Sequence, residues 1–510
     1  MTVTTALSQI HSIISKSESI FNQLDSLFPD LLTRNERTPF YQLQSTINTL
    51  SASIASSKNS INLATFGEKY NPVFEKLNDK IKDLNSLDKM IAEIKEDSEQ
   101  MELIALNAMV ISVKSGEKGL AFSKITENLQ RLSKDMFVYS DKLSAEEAEL
   151  LEQINSLKAI FSGILDAQKS IAGKDSECSS EMNRLVSNVS PSMASLEQEC
   201  GSIYIPIENT RDSVQVRAEL SRKLHEAADY LKDLERRASS QNDSGDTSYQ
   251  LTTYQKIHGL LSDVSMSLTQ ACANFAGRWG EVIDILDKSD GSRMDFESRF
   301  LNNHAFGNDN IEKQLNSIIQ KFQIIISEFD KYHIVQKDLQ TTCEGITSKA
   351  KTIYSVFENL RPVMSRLHHV RILQQIEVSK NDAIKSVQDS VTDMDNLINE
   401  ANNSLDQMEA VLESFIRDTG TMLANFTKSI QKDNEEMSQL RNDKEVCLGD
   451  LINGQGTLVS ASQSFSVFPD GFQSKCVMVQ QNLQELMRLN SEIGSLTNEI
   501  DDEKLRLQAQ

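Results

Sequence analysis

The chain is poor in the residues that interrupt helices and in those that fill broad cores. Its 510 residues include 7 prolines and 19 glycines, aromatic residues make up 6%, and Trp279 is the single tryptophan. This composition favours long helices over sheets. Because aromatic side chains are scarce and polar residues abound beside leucine and isoleucine, we expect narrow apolar seams between helices rather than one broad core.

An excess of positive charge is also absent. The formal net charge is -22, and no run of basic residues is interleaved with aromatic ones. Phosphate binding needs faces rich in lysine and arginine, so nucleic acid is not expected as a partner, and an anionic membrane surface is disfavoured. No stretch has the ~18 to 20 apolar residues that would span a bilayer as a helix. We therefore expect a soluble, cytoplasmic protein without a membrane span.

Residues that would carry chemistry are present but scattered. The six cysteines have no short spacing, which fits reduced thiols better than a disulfide framework or a zinc site. His368 and His369 stand without a nucleotide-binding domain, and acidic groups such as Glu146-Glu147-Ala148-Glu149 are typical of solvated helix faces. We therefore predict no catalytic residue, no metal and no cofactor, and the chain is not predicted to be an enzyme.

Helical periodicity is the clearest pattern. Apolar residues spaced by three and four run from Phe74 to Ala108 and again from Phe122 to Ile164, where the seam includes Ile125, Leu132 and Tyr139. Between these arms, Gly116 and Gly119 supply the backbone freedom that closes a turn. The pattern predicts an all-α protein built on a long antiparallel helical hairpin, or coiled coil, with additional helical bundle segments.

Breaks in the periodicity suggest four consecutive segments. They are an N-terminal helical cap (1–75), the hairpin (76–238, tip near 115–120), a linker (239–250) and a second helical array (251–510). Helices are expected to break at prolines, and irregular stretches are predicted at 288–293, 302–309 and 453–471. Two interpretations of the second array stay open: a diverged copy of the hairpin, or an unrelated helical array.

The tip carries a resemblance to a known family. The sequence resembles the signalling tip of methyl-accepting chemotaxis receptors at Leu103-Ile104-Ala105-Leu106-Asn107-Ala108. The same alignment continues without a gap and matches the family again at Gly116-Glu117-Lys118-Gly119 and at Phe122. The likeness covers residues 103–132. It implies a tip that forms receptor trimers and docks a histidine kinase and its coupling protein. The tip residues that the resemblance assigns to protein interaction are Ile104, Asn107, Ile111, Lys114, Gly116, Glu117, Gly119 and Phe122.

Three departures bear on that implication. The family glutamate is Ile111 here, and the family arginine is Lys114, which cannot make the same bidentate contacts. The family Arg-Gly before the phenylalanine is Leu120-Ala121. A weaker echo of the motif lies at Val370–Lys380, with no glycine turn after it. The pair Glu146-Glu147 does not fit the spacing of the family's methylation sites, so adaptation by methylation is not expected.

Two functions remain as hypotheses. The first is a chemoreceptor-like signalling or scaffold protein that acts through coiled-coil contacts and its hairpin tip, as a homo-oligomer. The alternative is a purely structural coiled-coil component of a larger assembly that has no kinase coupling. Ile111 favours the alternative, whereas Asn107, Gly116, Glu117 and Phe122 favour the first.

Overall fold

The structure is a computed structural model that describes residues 2–57, 63–239, 247–302 and 310–509. These residues form helices and contain no β-strand, which confirms the all-α prediction. The α-helices are α1 (Val3–Leu32), α2 (Pro39–Ser56), α3 (Leu63–Lys114), α4 (Leu120–Gly201), α5 (Tyr204–Ser213), α6 (Arg217–Ser239), α7 (Thr247–Phe296), α8 (Ile311–Lys380), α9 (Gln388–Gln463) and α10 (Phe472–Ala509).

Prolines interrupt these helices less than the sequence suggests. Pro29, Pro72, Pro191 and Pro362 lie inside α1, α3, α4 and α8, so the breaks predicted at Pro29, Pro72 and Pro191 are wrong. A proline within a helix costs roughly 3 kcal/mol, which burial of a long apolar seam on both sides can offset. Pro39, in contrast, is the first residue of α2, where its missing N–H group costs little.

Tertiary packing also removes predicted loops. Residues 288–293 belong to α7, and Ser289 is buried there, so the irregular stretch predicted at this place is wrong. Helix α9 continues to Gln463, which limits the irregular connection predicted at 453–471 to Ser464–Gly471. Of the loop predicted at 302–309, residues 303–309 lie outside the described residues.

The chain divides into two compact units that cut across the four segments proposed from the sequence. The first contains residues 1–55, 179–319 and 449–510, and the second contains residues 56–178 and 320–448. The predicted cap is divided because residues 1–55 belong to the first unit and 56–75 to the second. The predicted hairpin and second array are divided because α4, α8 and α9 contribute residues to both units. Of the predicted linker, residues 240–246 lie outside the described residues, and 247–250 begin α7.

The first unit is a helical bundle with its own core. Helix α7 packs against α5, α6 and α10, and α1 packs against the same three helices. Trp279 on α7 is buried, and its ring lies 6.4 Å from the ring of Phe275, a second buried residue of the same helix. These two aromatic side chains therefore lie in the core of the first unit, where α7 packs against its neighbouring helices.

The second unit is a ring of four helical segments. Ion pairs join α3 to α4 (Lys95 to Asp141, 2.6 Å) and α4 to α8 (Glu146 to Lys349, 2.7 Å). Arg371 of α8 pairs with Asp395 of α9, and Asp418 of α9 pairs with Lys80 of α3 at 3.0 Å, which closes the ring. The second unit therefore consists of two helical hairpins, α3–α4 and α8–α9, whose turns lie at the same end.

A buried ion pair fixes one layer of this bundle. The Lys444 side chain is 1% exposed, and its Nζ lies 2.5 Å from a carboxylate oxygen of Asp175. The same ammonium lies 3.4 Å from the hydroxyl of Ser57 and 5.8 Å from the ring centre of Phe322. Lys444 therefore depends on Asp175 for charge compensation in an otherwise apolar layer.

Removing this compensation is expected to destabilise the protein. In Asp175→Asn, the buried ammonium would lose its carboxylate, and we expect the free energy of unfolding to fall by about 3 kcal/mol in urea denaturation. Asp175→Asn combined with Lys444→Met should recover most of that loss. Asp79→Asn, at an exposed ion pair, is the control and should change little. An equal loss in both single variants would contradict the assignment.

Candidate functional site: the paired hairpin tips

The first tip is a tight turn that requires glycine at two positions. Residues Gly116–Gly119 form one 3-10 turn between α3 and α4, and Gly116 has a φ of 59°, in the left-handed region that glycine tolerates. A Cβ at Gly119 would lie 2.1 Å from the carbonyl oxygen of Ser112, closer than any packing allows. The Ser112 hydroxyl donates a hydrogen bond to the Gly119 carbonyl across the turn. The turn predicted from these glycines is therefore present.

A second tip lies directly against the first. A 3-10 turn over Asp382–Val387 joins α8 to α9, and the Asn381 side chain caps it by accepting a hydrogen bond from the Ala383 N–H group. The Asn381 amide also donates to the Lys118 carbonyl at 2.6 Å, and the Ser115 hydroxyl donates to the Ala383 carbonyl at 3.2 Å. The two turns are thus held together by hydrogen bonds to main-chain carbonyls.

A small apolar core sits beneath these hydrogen bonds. It contains residues from both hairpins, and Ile111 packs against its side. An isoleucine at this position is explained by that contact, because a glutamate there would lie against apolar side chains. The buried members of this tip core are Ala108, Phe122, Val378, Ile384, Val387 and Val391.

The eight tip residues assigned from the sequence separate into three groups. Gly119 and Phe122 are buried, so in this structure they shape the tip and offer no contact surface. Ile104 and Ile111 are half-buried. The exposed residues, which a partner could reach, are Asn107, Lys114, Gly116 and Glu117.

The most exposed apolar side chains of the tip were missed by the sequence analysis. Leu103, Leu106, Val110 and Val113 lie on the side of α3 away from the core, and Leu120 follows the turn with 68% of its surface exposed. The first four are spaced by three, four and three residues, a pattern that could have revealed them. Helix α3 carries two apolar stripes, and the sequence prediction used only the stripe that is buried, which includes Met101.

The two hairpins share a register near their tips. Buried positions Met101, Ala108 and Ser112 of α3 correspond, 266 residues later, to the buried positions Leu367, Gln374 and Val378 of α8. The same shift aligns Val110–Lys114 with Ile376–Lys380, the weaker echo of the receptor motif. Glu377 is then the counterpart of Ile111.

Comparison with known proteins does not identify a family for this chain. No protein-family profile, no curated protein and no solved structure matches the chain. Within the described residues, no group of three or more histidine, cysteine, aspartate or glutamate side chains is arranged to hold a metal ion. Nor does this part of the chain contain a helix long and apolar enough to cross a membrane.

Below the tip, small polar side chains replace part of the predicted apolar seam of α4. Ile125 and Tyr139 are only half-buried, and the neighbouring residues Thr126 and Ser140 occupy the core instead. Thr126, Ser133, Ser140 and Glu147 recur every seventh residue, all buried. The core near the tip is therefore built from small residues that alternate with leucine and methionine layers.

Glu147 ends this polar series with a buried carboxyl group. It is 3% exposed, and its Oε1 has no hydrogen-bond partner among the described residues. Burial raises the pKa of the Glu147 carboxyl group to about 7, and the charge of Asp88 adds to the rise. Lys349 of α8 pairs with the two glutamates on either side of this position, Glu146 and Glu149.

The geometry of the first turn predicts unequal effects for its glycines. Gly119→Ala should lower the free energy of unfolding by about 2 kcal/mol or more, because the new methyl group would strike the Ser112 carbonyl. Gly116→Ala should cost about 1 kcal/mol through its left-handed backbone. Gly173→Ala, in an open helical position, is the control and should be neutral or stabilising. The measurement is urea denaturation, and equal losses at all three glycines would contradict this account.

Glu147 should make stability depend on pH. Below pH 4.5 the carboxyl group is protonated in both folded and unfolded chains, and no penalty arises. Between pH 4.5 and 7 the unfolded chain ionises first, so stability falls as pH rises and then levels off. Glu147→Gln should therefore stabilise the protein at pH 8 by up to about 3 kcal/mol and flatten this slope. Glu127→Gln, at an exposed position on the same helix, is the control, and an unchanged slope in Glu147→Gln would refute the prediction.

Proposed function

We propose that the protein is a chemoreceptor-like signalling or scaffold protein that acts through helix–helix contacts at its paired hairpin tips. The observation that carries the proposal is the exposed apolar stripe on α3, at the end of the bundle where both turns meet. Large apolar side chains that are exposed together mark interaction surfaces. The resemblance of residues 103–122 to a receptor tip supports the same location.

The construction of the tip suits a protein that transmits a change in packing. Two hairpins of one chain share the tip core, so a shift of either hairpin must be accommodated by the other. The small buried residues of α4, such as Ser133 and Ser140, leave fewer interlocking side chains to resist such a shift. The proposed mechanism is a change in helix packing that is transmitted along the bundle, without chemistry of its own.

Glu377 supports a role in docking. The glutamate of the receptor motif, replaced by Ile111 on the first hairpin, has a counterpart on the second hairpin, next to Lys380. Together the two tips present the exposed residues Asn107 and Lys114 on one side and the half-buried Glu377 and the exposed Lys380 on the other. A histidine kinase and a coupling protein are the partners that the resemblance suggests, and homo-oligomerisation is part of the same proposal.

A purely structural role is the second candidate. Ile111 favours it, because this residue packs against the tip core where the receptor family has a charged side chain. In that case the hairpins would serve as a rigid component of a larger assembly, and no kinase would respond to them.

A binding and activity assay separates the two candidates. Purified histidine kinase and coupling protein from the source organism are incubated with the full chain, and both retention and kinase autophosphorylation are measured. We expect the wild type to bind and to change kinase activity, and Asn107→Arg to weaken binding about tenfold by placing a bulky charge beside the stripe. Asn128→Arg, an exposed position on α4, is the matched control. A wild type that neither binds nor modulates the kinase would leave the structural role as the better account.

A further inference from the structure

The exposed stripe on α3 has the spacing of a coiled-coil seam. Leu103, Leu106, Val110 and Val113 occupy alternating a and d positions over two heptads, and they are 61%, 40%, 53% and 67% exposed. The core seam of α3 lies on the opposite side of the helix, so both faces carry apolar side chains. A stripe of this spacing is complementary to the corresponding stripe of another helix.

The charge around the stripe is opposite to that of the chain as a whole. Residues 102–124 contain Lys114, Lys118 and Lys124 against Glu102 and Glu117, a net charge of +1 in a chain whose net charge is -22. Glu102 is half-buried and accepts a hydrogen bond from Gln130, and the other four charged side chains are exposed. Within the described residues none of the three lysines forms a salt bridge, so their charges are available to a partner.

The second hairpin does not repeat this surface. In the shared register, the counterparts of the four stripe residues are His369, Ile372, Ile376 and Ser379, of which two are polar. The counterpart of Lys114 is Lys380, but Glu377 and Asp382 lie near it in the sequence. The combination of a full apolar stripe and an excess of lysine is therefore confined to the first hairpin.

We propose that this stripe docks one helix of a different protein, whose apolar a/d seam is flanked by glutamate or aspartate side chains. The proposal rests on the proposed function and names the chemistry of the partner. Two copies of this chain are a poor match, because pairing of their stripes would bring lysines together and would add two strongly negative chains. An acidic helix places its apolar seam against Val110 and Val113 and a carboxylate near Lys114, which follows Val113 in α3.

The expected complex is transient. The stripe extends over three turns of helix, roughly 15 Å, which is shorter than the three to four heptads of a self-sufficient coiled coil. Binding should therefore weaken steeply with salt, since charge attraction supplies much of the selectivity at an exposed interface.

Two synthetic helical peptides test the proposal on the full chain. Both carry leucine at every a and d position over three heptads; one has glutamate and the other lysine at every e and g position. A photo-crosslinking residue in place of Val113 reports binding at the stripe alone, which excludes contacts elsewhere on the acidic chain. We expect at least about tenfold more crosslinking with the acidic peptide than with the basic one.

Charge reversal sharpens the test. Lys114→Glu, Lys118→Glu and Lys124→Glu together should reverse the preference to the basic peptide. Lys169→Glu, Lys428→Glu and Lys432→Glu together, at exposed positions of α4 and α9 distant from both turns, are the matched control and should leave the preference unchanged. Circular dichroism checks that the variants keep their helical content and melting temperature.

Several results would overturn the proposal. The first is equal crosslinking of both peptides, or crosslinking of neither, and the second is a preference for the acidic peptide that survives the triple reversal. The third is crosslinking between two copies of the chain. The fourth is co-sedimentation of the protein with phosphatidylserine vesicles, if Val110→Asp abolishes it. If the kinase and coupling protein bind but the peptides show no charge preference, the proposed function stands and this inference alone fails. If the acidic peptide is preferred but the kinase does not respond, the stripe is a docking surface and the kinase proposal fails.

Discussion

The contact between the two hairpin tips is the constraint on which the second unit depends. Two side-chain hydrogen bonds to main-chain carbonyls, from Ser115 and Asn381, hold the turns side by side above an apolar core that both hairpins share. Without this contact, Phe122 and Val387 would lose the part of the tip core that the other hairpin supplies. Because four helices start or end here, the tip also fixes which residues of each helix face inward.

That inward face gives different roles to the residues that resemble a receptor tip. Gly119 and Phe122 serve packing: Gly119 allows the chain to pass the Ser112 carbonyl, and Phe122 fills the tip core. Ile111 packs against the side of the same core. Asn107 and Lys114 face outward, and these are the residues to which our proposal assigns contact with a partner.

The bundle below the tip combines stable and weak layers. The pair of Lys444 with Asp175 and the leucine layers favour a single register, whereas Ser133, Ser140 and Glu147 place polar groups in the core. Glu147 adds a dependence on pH, since its carboxyl group is held in a layer that disfavours the charged form. A bundle of this kind can hold its fold and still allow limited shifts of one hairpin against the other.

The sequence by itself determined the helical class, the turn at Gly116 and Gly119 and most of the apolar seams, because these depend on local backbone freedom and on periodicity along one helix. Tertiary structure alone decided that the second hairpin pairs with the first, that Thr126 rather than Ile125 faces the core, and that Leu103 and Val113 remain exposed. Those outcomes depend on which apolar stripe of a helix packs against another helix. The contacts that decide this join residues more than 250 positions apart in the sequence, such as Ser115 and Ala383. Helical periodicity shows that α3 has apolar residues on both sides, but only packing chooses the side that is buried.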